Sequence, residues 1–265
     1  MDPHDNMITS RSNPLIKQVQ ALRQRKARAN TGLFLVEGIH PVGEAVEAGW
    51  KIDLILYAPE TLTSNFAHDL ISRVSTNLQP VSKQLMESLS DKDNPQGILA
   101  VVHQKRTNLD ELGPIRYGAG IITPQDPGNV GTILRTLDAV KADALFLLDG
   151  GVDPYHPTSV RASMGTIFWT PILQTSFVEF VEWSRKNGIR LIGTSAHSDM
   201  DYRKLKPDHP WVVMLGSEQK GLSLEQMEVC EPVVSLPMGG RASSLNLGVA
   251  AGIFLYRWTQ ESSGL

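Results

Sequence analysis

The chain has 265 residues, of which 41% are hydrophobic and 20% are charged, and its formal net charge at pH 7 is −3. These values are ordinary for a globular protein, so they exclude a disordered or fibrous chain and give no overall sign of nucleic-acid binding. The single cysteine, Cys230, excludes an intramolecular disulfide and a multi-cysteine metal centre. The histidines show no paired metal-ligand spacing, so no metal is expected.

No apolar run in the sequence is long enough to cross a bilayer. Residues 1–5 do not have the character of a signal peptide. We therefore expect a cytoplasmic protein without a membrane partner.

The first half of the chain alternates between helical and strand patterns. Helices are predicted near 14–28, 39–48, 66–74 and 83–89, and strands at 33–36, 52–57 and 97–102. This order predicts a small α/β layer. The pattern lapses before Tyr117, which predicts a first domain over 1–104, a linker over 105–116 and a second domain over 117–265.

Basic residues are concentrated near the start of the chain. Residues 6–36 contain no acidic residue and six basic ones: Arg11, Lys17, Arg23, Arg25, Lys26 and Arg28. One interpretation is a solvated helix face. The other is a surface that contacts phosphates, because affinity for RNA comes from local lysine and arginine rather than from net charge.

The second half predicts a longer α/β series. Strands are predicted at 120–123, 144–148, 190–194, 211–215 and 233–236, with helices near 129–140, 176–187, 223–229 and 244–260. This alternation predicts a mostly parallel sheet with helices on both faces and ligands at the carboxyl ends of its strands.

Three glycine-bearing turns follow predicted strands, within 126–135, 215–222 and 236–246. The last turn contains a proline and two glycines and leads directly into an apolar helix, with Ser244 at the expected N-cap. Its polar residues lie within apolar sequence, which predicts a pocket lined by backbone groups rather than a surface loop.

The three turns resemble, in order and spacing, the signature motifs of the SpoU (TrmH-like) branch of the SPOUT RNA methyltransferases. The matching patterns are Asn129-x-Gly131-x-x-x-Arg135, Gly216-x-Glu218-x-x-Gly221 and Leu236-Pro-Met-x-Gly-x-x-x-Ser244-Leu245-Asn246. Residues 10–17 and 34–38 are typical of the RNA-binding module of this family, so the resemblance covers nearly the whole chain.

The resemblance implies an N-terminal RNA-binding domain and a C-terminal catalytic domain with a deep trefoil knot. It also implies a homodimer that transfers a methyl group from S-adenosylmethionine to a ribose 2′-hydroxyl without a metal. Positioning should supply much of the rate of such a displacement, and proton removal a smaller factor.

Arg135 resembles the essential arginine of the family, which is thought to hold an RNA phosphate and to assist deprotonation of the 2′-hydroxyl. Because arginine resists deprotonation, phosphate anchoring is the better assignment. The structural alternative is a surface ion pair with Asp126 or Asp138.

Four further residues are implied at the reaction centre: Asn129, Glu218, Ser244 and Asn246. By resemblance, Asn129 orients the arginine or the substrate ribose, and Glu218 fixes Asn129 or Arg135 by hydrogen bonding. Each also has a structural interpretation, as a turn residue, a helix-flanking carboxylate or a helix N-cap.

The resemblance implies that the methyl donor is held mainly by backbone groups, with apolar side chains around the adenine. The residues implied are Thr194, Gly216, Leu236, Met238 and Leu245. Arg161 and Ser163 match a further family segment near the RNA site.

A nicotinamide-dependent oxidoreductase is the main rival enzyme, but the G-x-G-x-x-G pattern that it predicts is absent from the sequence. Large-subunit ribosomal RNA is the expected substrate. Transfer RNA is the alternative, as is a non-catalytic RNA-binding protein of the same fold.

Overall fold

A computed structural model of the chain describes residues 6–74, 76–91 and 94–263. The chain divides into two compact units. The first contains the residues up to 105 together with 155–168, and the second contains 106–154 and the residues from 169 onward. The opening residues 1–5, which bear on the signal-peptide prediction, lie outside the described residues.

The first unit contains a four-stranded sheet in the order β1-β4-β2-β3. Its strands are β1 (Leu33–Glu37), β2 (Ile52–Tyr57), β3 (Asn77–Pro80) and β4 (Ile98–His103), and its first helices are α1 (Pro14–Ala21), α2 (Arg25–Thr31), α3 (Ile39–Glu47), α4 (Asn65–Arg73) and α5 (Lys83–Leu89). Strand β4 is antiparallel to β1 and β2, whereas β3 is parallel to β2. The predicted α/β layer is therefore present as a mixed sheet.

The single helix predicted over 14–28 is wrong, because the helix is interrupted by a turn at residues 22–24, between α1 and α2. Leu22 is buried at this break, and the Arg28 guanidinium donates to the backbone oxygens of Leu22 at 3.0 Å and Arg23 at 2.8 Å. The side chain of Arg28 thus supplies hydrogen bonds to carbonyls that a continuous helix would have satisfied internally.

The second unit contains six parallel strands in the order β10-β8-β9-β5-β6-β7. The strands are β5 (Tyr117–Ile122), β6 (Ala144–Leu148), β7 (Ile172–Thr175), β8 (Arg190–Thr194), β9 (Trp211–Leu215) and β10 (Val233–Val234), and the helices are α6 (Pro127–Ala139), α8 (Phe177–Lys186), α9 (Leu224–Glu228) and α10 (Leu247–Ser263). Helix α7 (Pro157–Ser163) belongs to the first unit.

The core of the second unit follows its three central strands. Every residue of β5, β6 and β9 is buried, as expected for parallel strands covered on both faces. Strands β6 and β7 lie on one side of β5, and β9, β8 and β10 lie on the other. The loops that follow β5 and β9 therefore begin at the carboxyl ends of neighbouring strands. Ligands bind at such a switch point in open α/β sheets.

The segment 155–168 is attached to the first unit by specific contacts. The Trp50 indole nitrogen donates to the Phe168 backbone oxygen at 2.9 Å. The Tyr155 hydroxyl donates to the Lys105 backbone oxygen at 2.6 Å and accepts from the Lys105 backbone nitrogen at 3.2 Å. Helix α7 is therefore held to the N-terminal sheet, although it follows β5 and β6 along the chain.

Within the described residues, no helix is long and apolar enough to cross a membrane.

Candidate active site

A chain of side-chain hydrogen bonds joins the three sequence motifs at one end of the parallel sheet. The Asn246 amide nitrogen donates to Asn129 Oδ1 at 2.9 Å, and Asn129 Nδ2 donates to Glu218 Oε1 at 3.2 Å. Asn129 is 6% exposed, so its amide is buried within this network. The structure thus brings together three residues that are up to 117 positions apart in sequence.

Glu218 fastens the beginning of α6 to the loop after β9. Its carboxylate accepts from the backbone nitrogen of Gln125 at 3.1 Å and from that of Asp126 at 3.3 Å, in addition to the bond from Asn129. Of the two partners that the resemblance implied, Glu218 is bonded to Asn129. A carboxylate that accepts from several fixed donors is suited to positioning those groups.

Asn246 is the N-cap of α10, and the prediction that Ser244 would be the N-cap is wrong. Asn246 Oδ1 accepts from the backbone nitrogens of Gly248 at 2.9 Å and Val249 at 3.3 Å. Ser244 lies in the exposed loop before the helix. Because the Asn246 amide nitrogen is directed to Asn129, one side chain both caps the helix and joins it to the network.

Helices α10 and α6 pack closely through small residues. A Cβ atom built on Gly248 would lie 3.0 Å from Thr132 Cγ2, and one on Gly252 would lie 4.0 Å from Thr136 Cγ2. This close approach of α10 allows Asn246 to reach Asn129.

Arg135 is exposed on α6, outside the asparagine–glutamate network. It lies six residues beyond Asn129, which is about 9 Å along a helix axis. Within the part of the chain that the structure describes, Arg135 forms no ion pair with Asp126 or Asp138. Its guanidinium can therefore hold an anion from outside the chain.

The five residues implied for donor binding follow the carboxyl ends of neighbouring strands. Thr194 ends β8, and its hydroxyl donates to the Met214 backbone oxygen at 2.8 Å. Gly216 follows β9, where a Cβ atom would lie 2.0 Å from the Gly221 carbonyl carbon, so no larger residue fits. Leu236 and Met238 are half-buried, and Leu245 is 40% exposed.

The loop over 236–245 forms no backbone–backbone hydrogen bond with any described residue. Its N–H and C=O groups are therefore available to a polar ligand. Residues 239–246 are exposed, so this turn is a surface loop in the single chain, contrary to the prediction.

The predicted RNA-binding residues all lie in the first unit, and they divide into exposed residues and residues that are partly or fully buried. Arg11, Lys17, Arg25 and Lys26 are exposed, as is Arg161 on α7. Arg23 is half-buried; it pairs with Asp91 and donates to the Leu89 backbone oxygen at 2.5 Å.

Arg28 is 1% exposed and holds the break between α1 and α2, so its prediction as an RNA contact is wrong. Ser163 is buried and donates to the Val160 backbone oxygen at 2.7 Å, which makes it a structural residue of α7.

Cys230 is a buried residue rather than a nucleophile. Burial raises the pKa of its thiol to about 12, and the sulfur donates to the Gln226 backbone oxygen at 3.1 Å. No group of three metal-ligating side chains occurs among the described residues.

Comparison with known proteins places both units in described families. Residues 120–256 match the SpoU rRNA Methylase family, and residues 13–100 match the MRM3-like substrate binding domain. The chain is 36% identical to the 23S rRNA (uridine(2479)-2′-O)-methyltransferase of Streptomyces viridochromogenes, over 98% of this chain and 93% of the relative. It is 29% identical to the 23S rRNA (guanosine(2553)-2′-O)-methyltransferase RlmP of Bacillus subtilis, over 94% and 97%.

Among solved structures, the AdoMet-bound rRNA methyltransferase from Sinorhizobium meliloti superposes with a TM-score of 0.88. That protein is 31% identical to this chain, and the match covers 96% of this chain and 97% of the other.

Proposed function

The chain belongs to the SpoU rRNA methylase family, and we propose that it transfers a methyl group from S-adenosylmethionine to a ribose 2′-hydroxyl of large-subunit ribosomal RNA. The hydrogen-bonded series Asn246–Asn129–Glu218 carries the proposal, because it joins all three family motifs at one sheet end. Both 23S rRNA methyltransferases described above support this substrate class.

The residues of this sheet end fit the methyl donor. Loop 236–245 offers unpaired backbone groups, and Leu236 and Met238 offer half-buried apolar side chains. Together with Thr194, Gly216 and Leu245 they would hold S-adenosylmethionine, which supplies a methyl group already activated on a sulfonium. The protein's task is then to place the hydroxyl in line and to promote loss of its proton.

Arg135 is assigned to an RNA phosphate next to the reacting ribose. Its planar guanidinium can bond two phosphate oxygens, and no described residue competes for it. Asn129 is fixed by its bond to Glu218, and Asn246 is fixed as the cap of α10. We assign both to positioning the reacting groups. We assign Ser244 to the same site, on the exposed side of the loop.

The first unit is proposed to bind the RNA around the target nucleotide. The exposed cations assigned to this contact are Arg11, Lys17, Arg25, Lys26 and Arg161. Charges of this kind supply salt-dependent affinity without reading sequence.

A homodimer is proposed through one face of α10. Val249 is 51% exposed and Tyr256 45% exposed, on the same side of the helix two turns apart. Trp258, also on α10, is 2% exposed, and its ring centre lies 5.6 Å from that of Trp211 within the chain, so it is not part of this face.

We also propose the trefoil knot, with the chain after β10 passing through the loop that joins β8 to β9. This loop is contacted by Ser235, directly after β10, and by Trp258 on α10. The Ser235 backbone nitrogen donates to the Met200 oxygen at 2.8 Å, and the Trp258 indole nitrogen donates to the Tyr202 oxygen at 3.2 Å. We also propose a cytoplasmic location, which a ribosomal RNA substrate supports.

Tritium transfer from labelled S-adenosylmethionine tests the function. Unmodified large-subunit RNA, small-subunit RNA and transfer RNA are offered separately and then digested with alkali. A 2′-O-methyl group blocks alkaline cleavage, so we expect label in an alkali-resistant dinucleotide from large-subunit RNA. Label in another pool would overturn the substrate, and alkali-sensitive label would overturn the chemistry.

A further inference from the structure

A groove of about 500 Å³ lies on the second unit, formed by strand β7, helix α8 and the segment 107–110. None of the residues assigned above to donor binding or to the hydrogen-bonded network lines it. The groove therefore needs an explanation separate from methyl transfer.

Strand β7 is an edge of the parallel sheet, and among the described residues it pairs only with β6. The backbone oxygens of Pro171 and Thr175 accept hydrogen bonds from the β6 side. Because the bonding direction alternates along a strand, Ile172 and Gln174 direct their N–H and C=O groups outward. These groups have no hydrogen-bond partner among the described residues, which is the condition for pairing with another strand.

The groove is negatively charged. Asp110, Glu179 and Glu182 line it from two sides, and Lys186 is the one cation among the described lining residues. Glu182 is exposed and has no ion pair or hydrogen bond within the described chain. Trp183 adds a half-buried indole, against which a cationic side chain can pack.

We propose that this groove binds an extended, basic polypeptide segment that adds a strand to the edge of β7. The outward backbone groups of Ile172 and Gln174 would pair with the segment, and its lysine or arginine side chains would face the carboxylates. RNA is disfavoured there, because its phosphates would meet three carboxylates and a single lysine. The inference does not depend on the proposed methyl transfer.

A synthetic peptide of about ten alternating lysine and threonine residues, labelled with fluorescein, tests the charge complementarity. Anisotropy titration at low salt should show that Glu182→Lys weakens binding by about tenfold, since it changes the local charge by two. The matched control is Glu225→Lys, the same change at an exposed position on α9 that does not line the groove. Equal weakening by both variants would overturn the site.

Hydrogen exchange tests the strand pairing independently. On addition of the peptide, the amides of Ile172 and Gln174 should exchange more slowly, and a backbone N-methylated peptide should not protect them. Unchanged exchange at both amides would overturn the proposal, as would oligouridylate protecting them while the peptide does not.

Discussion

On one side of the candidate active site, side chains fasten the first turn of α6, whereas on the other side the loop over 236–245 has no backbone hydrogen bond within the described chain. Asn129 is buried on the fastened side, and residues 239–245 are exposed on the open side. The difference separates two tasks. The fastened side sets the position of reacting groups in advance, and the open side leaves backbone groups for a ligand to pair with.

Arg135 is exposed on α6, the helix whose first turn is fastened, and its replacement has the largest expected effect. Arg135→Ala should lower kcat by about a thousandfold, because without the phosphate contact the ribose hydroxyl is no longer held in line with the methyl group. Affinity for S-adenosylmethionine should stay within a few-fold, as measured by calorimetry. Arg185→Ala, an exposed arginine on α8, is the control and should leave kcat unchanged. A collapse of donor affinity in Arg135→Ala would show that the residue belongs to the donor site.

Gly216 tests how tightly the chain closes between β9 and Gly221. A methyl group at this position would lie 2.0 Å from a backbone carbon, so Gly216→Ala must move the main chain. We expect the free energy of unfolding to fall by about 1–3 kcal/mol in denaturant titrations without donor. An unchanged denaturation midpoint would mean that the main chain at this turn moves at little cost and that the turn is not part of the fastened side.

Asn246 joins the two sides, and its two roles can be separated. Asn246→Asp keeps the oxygen that caps α10 but loses the nitrogen that donates to Asn129. We expect the free energy of unfolding to stay within about 0.5 kcal/mol, since aspartate is a good N-cap. Turnover should fall by about a hundredfold because the network is broken.

The control for this variant is Asn246→Ala, which loses both roles and should also cost about 1 kcal/mol of stability. If the aspartate variant turns over at the normal rate, the bond to Asn129 has no part in catalysis.

The sequence predicted the parallel sheet from the alternation of strands and helices, and the central strands, such as Trp211–Leu215, are apolar runs that the structure buries completely. It missed β3 and β7, which are short edge strands, and β3 has the sequence Asn-Leu-Gln-Pro. Such segments become strands by pairing with a neighbour, and local propensity does not show this.

The resemblance identified the site residues and the bond between Glu218 and Asn129, but not the other partners. The bond from Asn246 to Asn129 spans 117 positions, and the amides of Gln125 and Asp126 carry no sequence signal. For the basic run near the N-terminus, the sequence likewise did not show which side chain would be buried. Six cations looked alike in sequence, and the break after α1 buried Arg28.

That correction gives a smaller, graded prediction for the first unit. Lys17→Ala and Arg25→Ala should each weaken RNA binding several-fold and lower the slope of log affinity against log salt by about one. Lys51→Ala, at an exposed lysine outside the basic run, is the matched control. A slope that does not change in either variant would remove these residues from the RNA surface. Donor affinity should be unaffected in all three.

Gly240 gives the smallest expected effect and the sharpest contrast with Gly216. No atom lies within 4 Å of a Cβ atom built on Gly240, and its φ is not positive, so alanine fits the loop as it stands. We expect Gly240→Ala to leave the free energy of unfolding unchanged or to raise it by less than about 1 kcal/mol, because alanine restricts the unfolded chain. A loss as large as that of Gly216→Ala, measured under the same donor-free conditions, would mean that loop 236–245 is packed against the protein. The distinction between a fastened and an open side would then fail.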